Sequence, residues 1–137
     1  MPNNAVLVVD DDGEICKLYA LMFEAAGLSV RCVMSQAEAV ADERRPACVV
    51  LDWELPDGCG RDVARALHHR WGASLPIILV TGAPLGVEDV AEADATRLLS
   101  KPFEADEVID AVRGAVNHPR ARRRKVSFPP SSLLRVS

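Results

Sequence analysis

The chain has 137 residues, of which 49% are hydrophobic, and a formal net charge of −4. This length fits one domain that can bury a core without disulfides or a structural metal. No apolar run approaches the roughly 20 residues that cross a bilayer, and the N-terminal stretch lacks the basic and apolar segments of a secretory signal. Composition therefore argues against a membrane or exported protein and favours a cytoplasmic location.

Charge is distributed unevenly along the chain. Residues 118–137 contain six of the 16 Lys and Arg residues and none of the 20 Asp and Glu residues, which leaves residues 1–117 with a net charge of −10. The last segment also combines its basic cluster with Pro and Ser, a composition that disfavours packed structure. We predict a folded domain over residues 1–117 and a basic, disordered tail over residues 118–137. The tail could contact nucleic acid through phosphates, but we do not expect a nucleic-acid partner.

Stretches of strand and helix character alternate along the chain. The predicted strands are short apolar runs rich in β-branched residues and, in chain order, cover residues 5–9, 28–33, 47–52, 76–81 and 96–100. Each is followed by a segment with helical features, and these segments cover residues 15–26, 36–45, 59–72, 83–94 and 103–116. The fourth segment contains few large apolar residues, so we expect a short helix there.

The first two helices have clear local signals. Asp12 is a candidate N-cap and Gly27 a helix stop, and between them one apolar face is predicted from Ile15, Leu18, Tyr19, Met22 and Ala26. Ser35 and Glu38 form a capping box that opens the second helix, which Pro46 closes. Strands and helices in this alternation imply a doubly wound α/β fold, with five parallel strands covered on both faces.

Polar residues follow the carboxyl ends of four predicted strands, and in such sheets ligands bind at this edge. They are Asp10, Asp11, Asp52, Thr81 and Lys101. Taken singly, Thr81 could cap the next segment and the lysine could be solvated. Taken together, three carboxylates would raise one another's pKa unless a divalent cation and the lysine compensated them. Oxygen ligands of this kind suit Mg²⁺, and an aspartate beside Mg²⁺ can attack a phosphoryl group.

The cysteines give no sign of a metal or redox site. They are Cys16, Cys32, Cys48 and Cys59, and they contain no CxxC pair and no histidines at zinc-finger spacing. We predict that all four are reduced and pack as small hydrophobic residues.

Four segments in this order resemble the receiver domain of two-component response regulators. They are VLVVDDD, VVLDWELPDGCG, IILVTGA and LLSKPF, and the resemblance covers about residues 4–116. It implies a flavodoxin-like sheet with strand order 2-1-3-4-5 and a cis peptide before Pro102. It also implies a phosphoacceptor, Asp52, whose phosphoryl oxygens contact Thr81 and Lys101. The implied Mg²⁺ ligands are Asp10, Asp11, Asp52 and the backbone carbonyl of Glu54.

The resemblance further implies what such a chain does and with which partners. The implied donor is a sensor histidine kinase or a histidine phosphotransfer protein, which would contact the exposed face of the first helix and the loop after Lys101. The chain would be a phosphoacceptor rather than an enzyme, and would signal through phosphorelay or through binding of an unknown output partner. Few residues follow Val116, so we expect a single-domain response regulator, with a homodimer as a further possibility.

Three features depart from the family pattern. Leu98 stands where receivers usually carry Tyr or Phe, so the aromatic switch is missing; packing in the core is favoured over a redesigned switch. Thr81 and Lys101 are closer in sequence than the family leads us to expect. Glu54, two residues after the phosphoacceptor, could repel the phosphoryl group, orient an attacking water or be a solvated loop residue.

Three other classes of protein were weighed against the receiver. A haloacid-dehalogenase-like phosphatase would have a second Asp where Glu54 stands and its nucleophile on the first strand. A degenerate receiver, acting as a phosphorylation-independent interaction module, is disfavoured because all the acids, the threonine and the lysine are present. A nucleotide-binding domain would need a GxGxxG or GxxxxGK[ST] motif, which the sequence lacks.

Overall fold

The structure, a computed structural model, describes residues 5–117. The tail predicted at 118–137 lies outside the described residues. The strands, in chain order, are β1 (Ala5–Val9), β2 (Ser29–Val33), β3 (Cys48–Asp52), β4 (Glu54–Leu55), β5 (Gly58–Cys59), β6 (Ile77–Thr81) and β7 (Arg97–Ser100). The helices are α1 (Gly13–Ala25), α2 (Gln36–Ala41), α3 (Gly60–Trp71), α4 (Val87–Ala93) and α5 (Ala105–Asn117).

Five strands form one parallel sheet in the order β2-β1-β3-β6-β7. Because β6 and β7 are the fourth and fifth long strands of the chain, this is the predicted order 2-1-3-4-5. The doubly wound, flavodoxin-like α/β fold is therefore confirmed. The strand order reverses direction between β1 and β3, which is the point where such sheets place their ligands.

Side chains that alternate along the strands supply two separate core layers. On β1, Val6 and Val8 face the layer beneath α1 and α5, whereas Leu7 and Val9 face the layer beneath α2, α3 and α4. This alternation follows from the two-residue period of a strand. Both faces of the sheet are therefore covered by helices. None of the helices within residues 5–117 combines the length and apolarity needed to cross a membrane.

Helix α1 confirms its predicted ends and, apart from Leu18, its predicted face: Tyr19 is in the core, and Ile15, Met22 and Ala26 pack against it. The Asp12 side chain accepts hydrogen bonds from the backbone N–H groups of Glu14 and Ile15, and Gly27 has φ +84° after the helix. The buried residues of α1 are Cys16, Tyr19 and Phe23. Leu18, predicted on the apolar face, is 54% exposed. The prediction was wrong for Leu18 alone, which lines a surface groove beside α1 and is not part of the core.

Two other helices and the segment after β3 refine the predicted boundaries. Helix α2 ends at Ala41, before the predicted stop at Pro46. Helix α4 has seven residues, as expected from its poor supply of apolar side chains. The segment after Asp52, predicted as a loop, instead forms a short antiparallel hairpin of β4 and β5. The hairpin brings Gly60, the first residue of α3, back against Trp53, where its N–H donates to the Trp53 carbonyl at 2.6 Å.

The prediction that all four cysteines are reduced was wrong for two of them. Cys16 of α1 and Cys32 of β2 form a disulfide, with their Cα atoms 6.2 Å apart. The two residues are 16 positions apart in sequence and meet only because α1 packs across the first two strands. Tertiary packing of this kind leaves no spacing signal in the sequence. Cys48 and Cys59 remain thiols.

Glycine at position 60 is required by the close approach of α3 to the residue after Asp52. A Cβ atom at Gly60 would lie 2.9 Å from the Cα of Trp53, so Gly60→Ala is expected to lower the free energy of unfolding by about 1–3 kcal/mol. The matched control is Gly114→Ala in α5, where a Cβ would meet nothing within 4 Å and helix propensity predicts a gain of up to about 1 kcal/mol. Urea unfolding of both variants tests this, and equal stabilities would contradict it.

Candidate functional site

Three carboxylates converge at the carboxyl edge of the sheet. Asp10 directly follows β1 and Asp52 ends β3, and these two strands are neighbours. With Asp11 they offer three carboxylate oxygens, all within 4.8 Å of one another. Asp10 and Asp52 are buried, at 2% and 7% exposure, whereas Asp11 is exposed. The sheet therefore brings together the acids that the sequence placed at separate strand ends.

Backbone hydrogen bonds orient Asp10 from both sides. Its own N–H donates to the Val33 carbonyl at the end of β2, over 3.1 Å. Its carboxylate Oδ1 accepts the N–H of Asp12 at 2.9 Å. Because Asp12 is also the N-cap of α1, the beginning of the helix and the aim of the Asp10 side chain are set by the same turn.

Asp52 is held between the hairpin and a lysine. Its Oδ1 accepts the backbone N–H of Glu54 at 3.2 Å, and its Oδ2 lies 3.6 Å from the Nζ of Lys101. The next residue, Trp53, donates its N–H to the Val80 carbonyl of β6 at 2.9 Å. The carboxylate therefore lies at the end of a buried, paired strand, with one oxygen beside a cation.

The charges of the site are only partly balanced. Burial raises the pKa of both Asp10 and Asp52. The charges of Asp11 and Asp12 add to the rise at Asp10, and those of Asp10 and Asp11 add to the rise at Asp52, while a backbone hydrogen bond and Lys101 lower the pKa of each. One lysine cannot neutralise three carboxylates, so the ionised site is unfavourable without a further cation. Hard oxygen donors, two of them buried, match the preference of Mg²⁺. The residues present therefore fit a magnesium ion.

Thr81 ends β6 beside the acids and is 2% exposed. Its hydroxyl donates to the Ala83 carbonyl and accepts the Ala83 N–H, both at 3.0 Å. These bonds form a tight turn at the start of the loop after β6, and they do not cap the next helix, because the N-cap of α4 is Gly86. The Thr81 carbonyl accepts the N–H of Lys101 at 2.8 Å, and the Lys101–Pro102 peptide is cis, as the resemblance implied.

The two residues that depart from the family pattern lie in different surroundings. The Glu54 side chain is exposed, and only its backbone N–H contacts Asp52; the role of its carbonyl stays a prediction. Leu98 is half-buried against the core layer beneath α2, α3 and α4, which agrees with the simple packing role favoured from the sequence.

Tyr19 is the one neighbour of the site that the sequence assigned only to the core. It is 1% exposed, and its ring stacks on those of Phe23 and Phe103. Burial, followed by the charges of Asp10 and Asp52, raises the pKa of its hydroxyl. Its helical spacing marked it as apolar, and no sequence signal distinguishes a core tyrosine from one that adjoins a site.

An apolar groove adjoins the acids on one side. It has a volume of about 340 Å³ and runs between Ile15, Leu18 and Met22 of α1 and Pro102, Phe103 and Ala105. Lys101 also lines it, so the groove leads directly to the cation beside Asp52. Leu18 and Leu21 on α1 are 54% and 67% exposed, which gives this side of the molecule an apolar surface.

Comparison with known proteins gives concordant results. The family model of the response regulator receiver domain matches residues 6–113. The chain is 31% identical to the response regulator protein TodT of Pseudomonas putida, over 82% of this chain and 51% of TodT. It is 37% identical to the photosynthetic apparatus regulatory protein RegA of Cereibacter sphaeroides, over 80% of this chain and 61% of RegA. The chain thus spans about half to three-fifths of the length of these relatives.

Solved structures share the fold. The receiver domain of a sensor histidine kinase from Pseudomonas aeruginosa, described with a magnesium ion coordinated in its active-site cleft, superposes with a TM-score of 0.75 at 24% identity. The alignment covers 84% of this chain and 98% of that one.

Proposed function

The chain belongs to the response regulator receiver domain family, and from this premise we propose that Asp52 accepts a phosphoryl group from a phosphohistidine. The donor is a sensor histidine kinase or a histidine phosphotransfer protein. The observation that carries this proposal is the placement of Asp52, a buried strand-end carboxylate within 3.6 Å of the Lys101 ammonium and within 4.8 Å of the Asp10 and Asp11 carboxylates.

The transfer uses few residues, each with a separate task. The Asp52 carboxylate attacks phosphorus in line, the P–N bond of the donor breaks, and the donor imidazole leaves with the bonding electron pair and takes up a proton from solvent. Lys101 lies where it can neutralise charge on a phosphoryl oxygen. Thr81 can donate its hydroxyl to another phosphoryl oxygen only after leaving the Ala83 carbonyl, so phosphorylation would release one end of the loop after β6. A shift between two such conformations is how a phosphoryl group can change a surface.

The three carboxylates of the proposed site would be balanced by a bound Mg²⁺ ion together with Lys101. The ligands would be the carboxylates of Asp10, Asp11 and Asp52, with the backbone carbonyl of Glu54. When bound, Mg²⁺ would offset the negative charge that gathers on the transferred group. Support comes from the partly unbalanced carboxylates of this chain and from the magnesium-containing receiver domain of the Pseudomonas aeruginosa kinase.

We assign donor contact to the apolar groove and the exposed face of α1. The groove is lined by residues of α1, by Lys101 and by the segment after it. Because the Lys101 ammonium lies 3.6 Å from the Asp52 carboxylate, a partner seated in the groove would bring its phosphohistidine towards that carboxylate. Downstream signalling would follow by phosphorelay or by binding an output partner, with dimerisation as a further possibility. In this scheme the chain is a phosphoacceptor in two-component signal transduction. It would act in the cytoplasm, where it would meet its donor.

Intact mass spectrometry after incubation with acetyl phosphate tests the proposal. We expect a hydroxylamine-labile gain of one phosphoryl group that requires Mg²⁺ and is lost in Asp52→Asn. The matched control is Asp57→Asn, which changes an exposed acid of the same hairpin and is expected to keep the gain. If neither acetyl phosphate nor a candidate kinase labels Asp52, the interaction-module alternative replaces the proposal. Sustained hydrolysis of p-nitrophenyl phosphate would instead favour the phosphatase alternative.

A further inference from the structure

The Cys16–Cys32 disulfide joins the first turn of α1 to β2, an edge strand of the sheet. Cys16 is buried, at 8% exposure, whereas Cys32 is exposed. The Cys32 end of the bond therefore lies at the surface, on the side from which a thiol or disulfide in solution would approach. The other lies under the helix, next to the acidic site.

Short backbone hydrogen bonds connect both ends of this disulfide to Asp10. On the β2 side, Val33 follows Cys32 and its carbonyl accepts the Asp10 N–H at 3.1 Å. On the α1 side, the Cys16 N–H donates to the Asp12 carbonyl at 3.0 Å, and the Asp12 N–H donates to Asp10 Oδ1 at 2.9 Å. The disulfide thus closes a ring of covalent and hydrogen bonds around Asp10.

From this ring we propose that Cys16 and Cys32 are a reversible dithiol–disulfide pair that holds Asp10 in place when oxidised and so strengthens Mg²⁺ binding. The metal named here rests on the proposed function. The positions of Cys16 and Cys32 on either side of Asp10 do not depend on the proposed function. The proposal rests on the contacts of Asp10 with both segments that the disulfide joins. The segment containing Cys32 bonds to the Asp10 backbone, and the segment containing Cys16 bonds to the Asp10 side chain through Asp12.

The redox step balances with a glutathione disulfide as the oxidant. The exposed Cys32 thiolate attacks one glutathione sulfur, forming a mixed disulfide and releasing one glutathione thiolate. The Cys16 thiolate then attacks the Cys32 sulfur and releases the second. Two electrons pass from the protein dithiol to glutathione, and the released thiolates take up the two protons. Reduced glutathione reverses both steps.

The reversibility of the pair is argued from the size of the domain and from the cytoplasmic location, which belongs to the proposed function. A domain of this length buries enough surface to fold without a covalent staple. In a reducing compartment, disulfides are mostly transient or redox-sensing rather than structural. A pair with one exposed cysteine beside a functional carboxylate matches the sensing role.

The test begins by equilibrating the full chain in buffers of defined ratio of reduced to oxidised glutathione, followed by alkylation of thiols under denaturing conditions. Of the four cysteines, we expect two fewer to be alkylated on the oxidising side, with the bond mapped to Cys16 and Cys32. Four alkylated thiols at every ratio would overturn the proposal.

The second measurement is Mg²⁺ binding, followed through the fluorescence of Trp53, which adjoins Asp52. We expect binding to weaken about ten-fold on reduction, the low end of the loss that follows removal of a group supporting a metal ligand. Cys32→Ser, at an exposed position that tolerates the change, should bind Mg²⁺ as the reduced chain does at every glutathione ratio. Cys59→Ser should keep the redox response.

The outcomes separate this proposal from the proposed function. If acetyl phosphate labels Asp52 but Mg²⁺ affinity is the same in both redox states, the redox proposal fails and the phosphoacceptor stands. If Mg²⁺ affinity follows the redox state but Asp52 is never labelled, the phosphoacceptor fails and the redox proposal stands.

Discussion

Asp10→Asn is expected to raise the free energy of unfolding at neutral pH, in metal-free buffer, by about 1–2 kcal/mol, the range of a single stabilising substitution. Asn keeps the oxygen that accepts the Asp12 N–H and removes a buried charge that faces two other carboxylates. Because burial raises the pKa of Asp10 above its ordinary 3.8, the folded chain binds this proton more tightly than the unfolded chain does. Stability is therefore lost as pH rises through the raised pKa.

The pH dependence provides the first check on this explanation. The stability difference between the variant and the wild type should be full above the raised pKa and should shrink as pH falls towards 3.8. Urea unfolding with a chelator present, repeated across the acidic range, measures it. Asp110→Asn, which changes an exposed acid on α5, is the matched control and should show no such difference. A destabilised Asp10→Asn variant at neutral pH would contradict the assigned cost of the buried charge.

Adding Mg²⁺ should reverse the ranking of the two proteins. An ion that binds only the folded state stabilises it by about 2.7 kcal/mol at one hundred times its dissociation constant. We expect this gain in the wild type and in Asp110→Asn, but little of it in Asp10→Asn, which lacks one proposed ligand. Equal Mg²⁺ responses in all three proteins would remove Asp10 from the ligand set. The acids would then cost stability without holding the metal.

Strands and helix ends could be predicted from the sequence, because each depends on residues close to one another in the chain. A buried parallel strand is a short apolar run, and β1 coincides with the run from Ala5 to Val9. Helix ends depend on side chains within three residues, and Asp12 and Ser35 cap α1 and α2 as expected. Placement of the acids at one edge then follows from parallel topology, since every strand of such a sheet ends on the same side.

The features that depend on tertiary contact could not be predicted. How far the core extends around α1 is decided by packing against β1, β2 and α5, so Leu18 was misplaced. The pairing of Cys16 with Cys32 depends on the same contact. From the sequence, the Thr81 hydroxyl could either cap the next segment or contact a phosphoryl oxygen. Its hydrogen bonds to Ala83 depend on the path of the loop after β6. The spacing of residues in the sequence does not indicate contacts of this kind.

Lys101→Met should slow the phosphorylation of Asp52 by acetyl phosphate about 100-fold, the loss usual when one preorganised donor to a developing charge is removed. The ammonium lies 3.6 Å from the Asp52 carboxylate and is the cation nearest to the site of transfer. Met keeps the apolar stem that lines the groove. The initial rate of phosphoryl gain, measured by intact mass at saturating Mg²⁺, reports the effect.

Magnesium affinity should move in the opposite direction in this variant. Removing a cation from beside three carboxylates lowers the repulsion that an incoming Mg²⁺ meets, so Lys101→Met should bind the ion more tightly while it accepts phosphate more slowly. Lys17→Met, at an exposed lysine on α1, should change neither quantity. A slower rate combined with weaker Mg²⁺ binding would mean that the substitution disturbs the whole site. An unchanged rate would show that Lys101 is not required for transfer.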